Sequence, residues 1–258
     1  MSFAVRAGLV AAAALLVALI AIPLANLFVH LTPSDVLAAL QTPDALAALR
    51  LSGITTALAL VLTIALGTPL AYLLARAAFP GRRLVDALVD LPIVVPPAVA
   101  GLALLLAFGR MGTFGPLLHA AGVQLSFSTA AVVMAQLFVG SPFYVRSARA
   151  GFAGVDRTLE AASLTLGMGP LRTFARITVP LAAPTLIGGA VLAWARALGE
   201  FGATIMFAGN LAGVTQTLPL AVYTHLESGN VPVAVALAVV MIACSLVVVL
   251  AVRTFEPR

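Results

Sequence analysis

The chain has 258 residues, of which 62% are hydrophobic and only 9% charged. A soluble domain carries about 25% charged residues, so this composition excludes one and points to a bilayer. All 14 basic residues are arginine. Without lysine the chain cannot build the G-x-x-x-x-G-K-[ST] loop that holds nucleotide phosphates, so any ATP-driven motor must sit on another polypeptide.

The net charge of +5 reads as arginine-rich cytoplasmic loops rather than as a nucleic-acid surface. Cys244 is the only cysteine, so no intrachain disulfide is possible. His30, His119 and His225 are scattered and have no metal-ligand spacing, so no metal site is expected.

The apolar runs predict an all-α integral membrane protein with six transmembrane helices. The first span covers residues 8–29, too long for the apolar core of a signal peptide. Residues 31–50 are more polar. Thr32-Pro33-Ser34-Asp35 and Thr42-Pro43-Asp44 read as starts of one or two surface helices. The second span covers residues 51–78 and ends at the turn Phe79-Pro80-Gly81-Arg82-Arg83.

The third span covers 85–108, kinked by Pro92, Pro96 and Pro97. The fourth covers 128–144, the fifth 181–207 and the sixth 231–252. Between the last two, residues 215–228 predict a short helix at the surface. No repeat or separate soluble domain interrupts the pattern.

Orientation follows from the arginines. With both termini cytoplasmic, eleven arginines fall inside, only Arg50 and Arg110 fall outside, and Arg196 lies within a span.

The polar interruption at residues 156–180 then faces the cytoplasm. Asp156 is a plausible N-cap. A helix is expected over 159–166, and Gly167 stops it in a left-handed cap. Pro170 restarts a second helix, and Pro180 marks entry to the fifth span. Ala161, Ala162 and Gly167 add little bulk, so another surface can approach this two-helix elbow closely. An ordinary helical loop would carry the same pattern.

Inside the fifth span, Arg196 and Glu200 are four residues apart and share a helical face. Two readings stand: an arginine that attracts an anion to a pathway, or a self-satisfied pair that needs no ligand. Thr204 offers a hydroxyl to a pore or to its own helix. Gly199 and Gly202 read as close-packing positions.

The segment Glu160-Ala161-Ala162 to Pro180 resembles the EAA loop of ABC importer permeases. That pattern is E-A-A-x-x-x-G followed by I-x-L-P. Four residues separate Ala162 from Gly167 here, rather than three, so Glu160 sits one place early.

Leu91-Pro92-Ile93-Val94-Val95-Pro96-Pro97-Ala98-Val99-Ala100-Gly101 with Phe108-Gly109-Arg110-Met111-Gly112 is similar to the third-span signature of molybdate and sulfate permeases. Ala195-Arg196-Ala197-Leu198-Gly199-Glu200-Phe201-Gly202-Ala203-Thr204 is similar to the fifth-span signature, and its Gly-Glu-Phe-Gly-Ala-Thr part to the molybdate or tungstate form.

The resemblance implies a single transmembrane permease domain over residues 1–258, with its core at 51–252, of the type I importer fold. It implies a multi-pass protein of a prokaryotic inner membrane, surrounded by lipid. Residues 156–178 would be coupling helices, with Glu160, Ala161, Ala162, Gly167 and Pro170 meeting the ABC ATPase. Arg196, Glu200 and Thr204 are candidates for the translocation path.

A homodimer would enclose that path, and a periplasmic or extracellular oxyanion-binding protein would deliver substrate. ATP-Mg would be used by the partner ATPase. The chain itself would bind no cofactor and hold no catalytic residue. The alternatives are a sulfate or thiosulfate permease, a membrane enzyme, and a stand-alone secondary transporter or channel.

Overall fold

The computed structural model describes residues 3–29 and 32–253. His30, and Arg258 among the eleven arginines expected inside, lie outside them. Helices are the only regular elements among the described residues. Helix α1 (Phe3–Val29) is apolar all round, and its candidate span, Val5–Val29, is not buried within the chain. Helix α2 (Pro33–Leu40) opens with a capping box in which Thr32 accepts from the Asp35 N–H and Asp35 reaches back to the Thr32 N–H.

Helix α3 runs unbroken from Pro43 to Arg76. The surface helix expected at Thr42-Pro43 is thus the first part of the second span. Thirty-four residues at about 1.5 Å each exceed a hydrocarbon core of about 30 Å, so this helix projects beyond the bilayer.

The expected third span is not one kinked helix. Helix α4 (Arg82–Val94) and helix α5 (Pro97–Phe108) meet at 119°. Pro96 and Pro97 lack the N–H groups that would carry the ladder across the join. At about 20 Å, α4 is too short to cross alone. It leans on the next long helix through Val85 and Val89 and two ion pairs, Asp86 with Arg149 and Asp90 with Arg146.

Helix α6 (Gly115–Ala120) is a short turn before helix α7 (Thr129–Gly154), which Ser128 caps by accepting from the Ala131 N–H. Helix α8 (Arg157–Thr165) follows, then helix α9 (Pro170–Thr173), a π-helical segment (Phe174–Thr178) and helix α10 (Val179–Leu198). From Pro170 to Leu198 the chain is helical without a break. The elbow's second arm is therefore the root of the fifth span rather than a separate helix.

The fifth span ends at Leu198. After a break, helix α11 (Gly202–Phe207) resumes. Helix α12 (Leu218–Glu227) is the expected short helix, but Leu218, Leu220 and Ala221 are buried, so it is half sunk into the bundle. Helix α13 (Val231–Arg253) closes the chain.

Among the described residues four helices are long and apolar enough to cross a membrane, and the bent α4–α5 pair makes a fifth. Six is reached only by adding α7, whose 26 residues suffice in length but are interrupted by Gln136, Arg146 and Arg149.

Helix α7 is the hub. Toward its C-terminal end Tyr144, Val145, Ala148 and Phe152 pack with Ala71, Leu74, Ala182 and Ala193. Toward its N-terminal end Ala131, Val132, Ala135 and Val139 pack with Ala100, Leu104, Ala203 and Phe207. Lipid is as apolar as a leucine, so contact here comes from close fit rather than from escape from water. A methyl group on Gly140 would lie 3.0 Å from the Ala193 carbonyl oxygen, and one on Gly189 would lie 2.5 Å from Ser147 Cβ.

Candidate functional site

The elbow is built from local rules. Asp156 caps α8 by accepting from the Thr158 N–H at 2.9 Å. That bond, and then the Thr158 hydroxyl, hold its carboxyl below the ordinary carboxylate range. At the other end the Met168 N–H donates to Ser163 O and the Gly167 N–H to Leu164 O. This is a complete Schellman stop with Gly167 at φ +86°. The Ser163 and Thr173 hydroxyls lie 2.9 Å apart and tie the two arms together.

Ala161, Ala162, Gly167 and Pro170 are exposed, as expected for an approachable face. Beside them Leu166 and Leu171 stand 87% and 80% exposed, with Arg157, Arg172 and Arg176 also at the surface. The elbow thus presents two apolar knobs rimmed by arginines.

Glu160 does something different from its neighbours. Its Oε1 accepts from Thr178 Oγ1 at 2.7 Å and from Arg76 Nη2 at 3.2 Å. The same guanidinium nitrogen donates to Val155 O at 2.8 Å. The glutamate thus points inward and joins the end of α3, the elbow and the root of α10. Sequence reasoning missed Arg76 and Thr178 as its partners. The available signal was small: a lone arginine closing an apolar run, and a threonine two places before Pro180.

The second region is the break in the fifth span. Glu200 is fully buried and lies outside α10, so it does not share a helix with Arg196. The pair still forms, with Arg196 Nη2 2.8 Å from Glu200 Oε2. The guanidinium N–H is not aimed along that line, which leaves an ion pair without an aligned hydrogen bond. The other oxygen, Oε1, accepts from the Ala203 N–H at 2.7 Å. Glu200 therefore satisfies a free donor at the start of α11. Thr204 is also fully buried, and its hydroxyl has no partner among the described residues. Of the three candidates only Arg196 is partly exposed, at 30%.

A fourth polar group belongs to this neighbourhood. Gln136 on α7 is 1% exposed, and neither amide atom is hydrogen-bonded. Gly140, one turn further along α7, abuts Ala193 and Ala197. Because α7 and α10 run antiparallel, Gln136 falls at the level of the break.

The two span signatures meet here. A methyl on Gly101 would lie 2.7 Å from Ala203 O, and one on Gly202 would lie 2.8 Å from Pro97 Cβ. The third-span and fifth-span motifs are two halves of one close backbone contact. Among the described residues no group of three or more acidic, histidine or cysteine side chains could hold a metal.

Residues 67–258 match the family described as the inner membrane component of binding-protein-dependent transport systems. The chain belongs to this family. As one of its permeases, it is a multi-pass inner-membrane protein.

It is 42% identical over 238 residues to the molybdenum transport system permease ModB of Mycobacterium tuberculosis, covering 92% of this chain and 90% of that one. It is 42% identical over 202 residues to ModB of Escherichia coli K12, covering 78% and 88%. It is 34% identical over 216 residues to the sulfate transport system permease CysT of Salmonella typhimurium, covering 84% and 78%.

Among solved structures, a bacterial ABC transporter involved in alginate import superposes with a TM-score of 0.76 at 15% identity, covering 98% of this chain and 94% of that one. The inward-facing MetNI methionine transporter gives 0.61 at 18%, covering 83% and 95%. At such identities the likeness is one of fold.

Proposed function

We propose that this permease is the membrane subunit of an ATP-driven molybdate importer. The observation that carries the reading is a compact, Schellman-stopped elbow presenting Leu166 and Leu171 among arginines, directly rooted in a span. Two copies of the chain enclose the path. An ABC ATPase binds each elbow from the cytoplasm and supplies the ATP-Mg chemistry. A periplasmic or extracellular binding protein delivers the oxyanion. The chain itself binds no cofactor and performs no covalent step.

Ala161, Ala162, Gly167 and Pro170 form the contact face, and Glu160 anchors that face to the bundle. Arg196 is the group at the break that meets the path, Glu200 pairs with it from behind, and Thr204 keeps a buried, unpartnered hydroxyl beside them. The preference for molybdate over sulfate rests on the 42% identity to the molybdenum permeases against 34% to the sulfate permease, and on the Gly-Glu-Phe-Gly-Ala-Thr run at 199–204.

The test is reconstitution in liposomes with the cognate ATPase inside and loaded binding protein outside. ATP-dependent uptake of radiolabelled molybdate supports the reading. Uptake of sulfate alone would assign the chain to the sulfate permeases, and uptake without ATPase would refute the coupled mechanism.

A further inference from the structure

The motif Gly109-Arg110-Met111-Gly112 has no part in the elbow or in the break, yet the chain builds it with care. It lies past the C-terminal end of α5, in the loop that leads into α7. Helix α7, about 39 Å long by its 26 residues, separates this loop from the elbow. The Thr113 and Phe114 N–H groups fold back to Leu106 O and Ala107 O at 2.9 and 2.8 Å. These are last-turn carbonyls of α5 that would otherwise be unpaired. A methyl on Gly112 would lie 2.5 Å from Leu106 O, and one on Gly115 would lie 2.5 Å from Arg110 O. The knot tolerates only glycine at these positions, and it fixes the base of Arg110. Directly after Ser126, Phe127 takes φ +58°, the only non-glycine residue with positive φ among those described. Its N–H donates to Phe207 O, at the end of α11.

Between the knot and residues 123–126 lies a cavity of about 120 Å³, several times the roughly 10–15 Å³ that a single water needs. Its polar lining is Arg110, His119, Gln124 and Ser126. Arg110, Gln124 and Ser126 also line a wider depression of about 500 Å³ beside it. No carboxylate lines either cavity, and the sequence has no acidic residue between Asp90 and Asp156. Arg110 forms no ion pair among the described residues. All four side chains can donate hydrogen bonds, and the guanidinium fork matches paired oxyanion oxygens.

We infer that this cavity is an oxyanion-receiving site, where a tetrahedral dianion rests between release by the binding protein and entry into the bundle. The inference depends on the importer reading above. A cation would be repelled here, and a neutral solute would gain nothing from the Arg110 charge. One arginine with neutral donors binds weakly, and a site of passage must let go.

The experiment uses the reconstituted complex and measures initial molybdate uptake against the concentration of loaded binding protein. Arg110→Gln should lower the maximal rate about tenfold, the scale of one charged hydrogen bond, at an unchanged half-saturating concentration. Arg110→Lys should lose less. Gln124→Leu and Ser126→Ala should each lower the maximal rate about two- to threefold.

A raised half-saturating concentration with an unchanged maximal rate would overturn the site and make Arg110 a docking contact for the binding protein. Wild-type kinetics in all variants would overturn it outright. Chromatography of the detergent-solubilised complex separates either result from failed assembly. A wild-type complex that moves no molybdate would instead sink the importer reading itself.

Discussion

Removing the Glu160 carboxylate should loosen the elbow from the bundle without touching its outer face. The Arg76 and Glu160 side chains are only 11% and 16% exposed, with 3.2 Å between Nη2 and Oε1. At an effective dielectric constant of about 20, that separation gives a gross attraction of about 5 kcal/mol. Desolvation of both ions offsets part of it, while Glu160→Ala also removes the bond from Thr178 and leaves Arg76 with only Val155 O. A net loss of about 3 kcal/mol follows. Thr178→Val, which removes one neutral donor, should cost about 1 kcal/mol.

Thermal unfolding of the purified complex is the assay. By the scaling for chains of this size, Glu160→Ala should lower Tm by roughly 6–12 °C. The double variant Arg76→Met/Glu160→Ala should recover part of that, because no unpaired charge remains. ATP hydrolysis by the ATPase should continue in Glu160→Ala while uptake per ATP falls. If Glu160→Ala lies within about 0.5 kcal/mol of wild type, the inward anchor is refuted and Glu160 reverts to a surface residue.

Three further outcomes are expected. Gly167→Val forces a β-branched residue to φ +86° at a cost of about 1–2 kcal/mol. It should leave insertion intact but uncouple hydrolysis from uptake, and full ATP-driven uptake would count against the elbow. Arg196→Ala should strand Glu200 and reduce assembly, with an expected cost of about 3 kcal/mol. The Arg196→Ala/Glu200→Ala pair should assemble better. If the double variant assembles yet cannot transport, as judged by chromatography and uptake, Arg196 serves the path and not merely the fold. Gln136→Leu removes two unbonded buried amide atoms, so it should raise or preserve thermal stability. A drop of more than about 2 kcal/mol would mean that the amide is satisfied in the membrane by water or by a moving neighbour.

Much of this architecture was legible from residues alone. The Asp156 cap, the left-handed stop at Gly167 and the restart at Pro170 are local chemistry, and the structure has each where the sequence predicts it. What was illegible depends on distant partners. Nothing in Pro92, Pro96 and Pro97 distinguishes a kink from a 119° turn, because the angle is set by how α4 and α5 pack against α7 and α11. The helix at Arg196 was expected to continue through Glu200. It stops because Glu200 turns in to accept from Ala203. Glu160 looked displaced when measured against a spacing pattern. Its position makes sense only beside Arg76, 84 residues earlier in the chain.

The unbroken helical run from Pro170 to Leu198 has a mechanical consequence. Its 29 residues span about 43 Å, with an exposed knob at one end and the Arg196–Glu200 contact at the other. No non-helical backbone lies between them, and the points where the run could bend are the π-helical turn Phe174–Thr178 and Pro184. A tilt of about 5° at the elbow sweeps the far end through roughly 4 Å by simple leverage on that length, and it carries Arg196 and Glu200 together past the facing helices α5 and α7. A small displacement at the elbow is thus passed on as a shift of the break against the close backbone contacts of Gly101 with Ala203 and of Gly202 with Pro97.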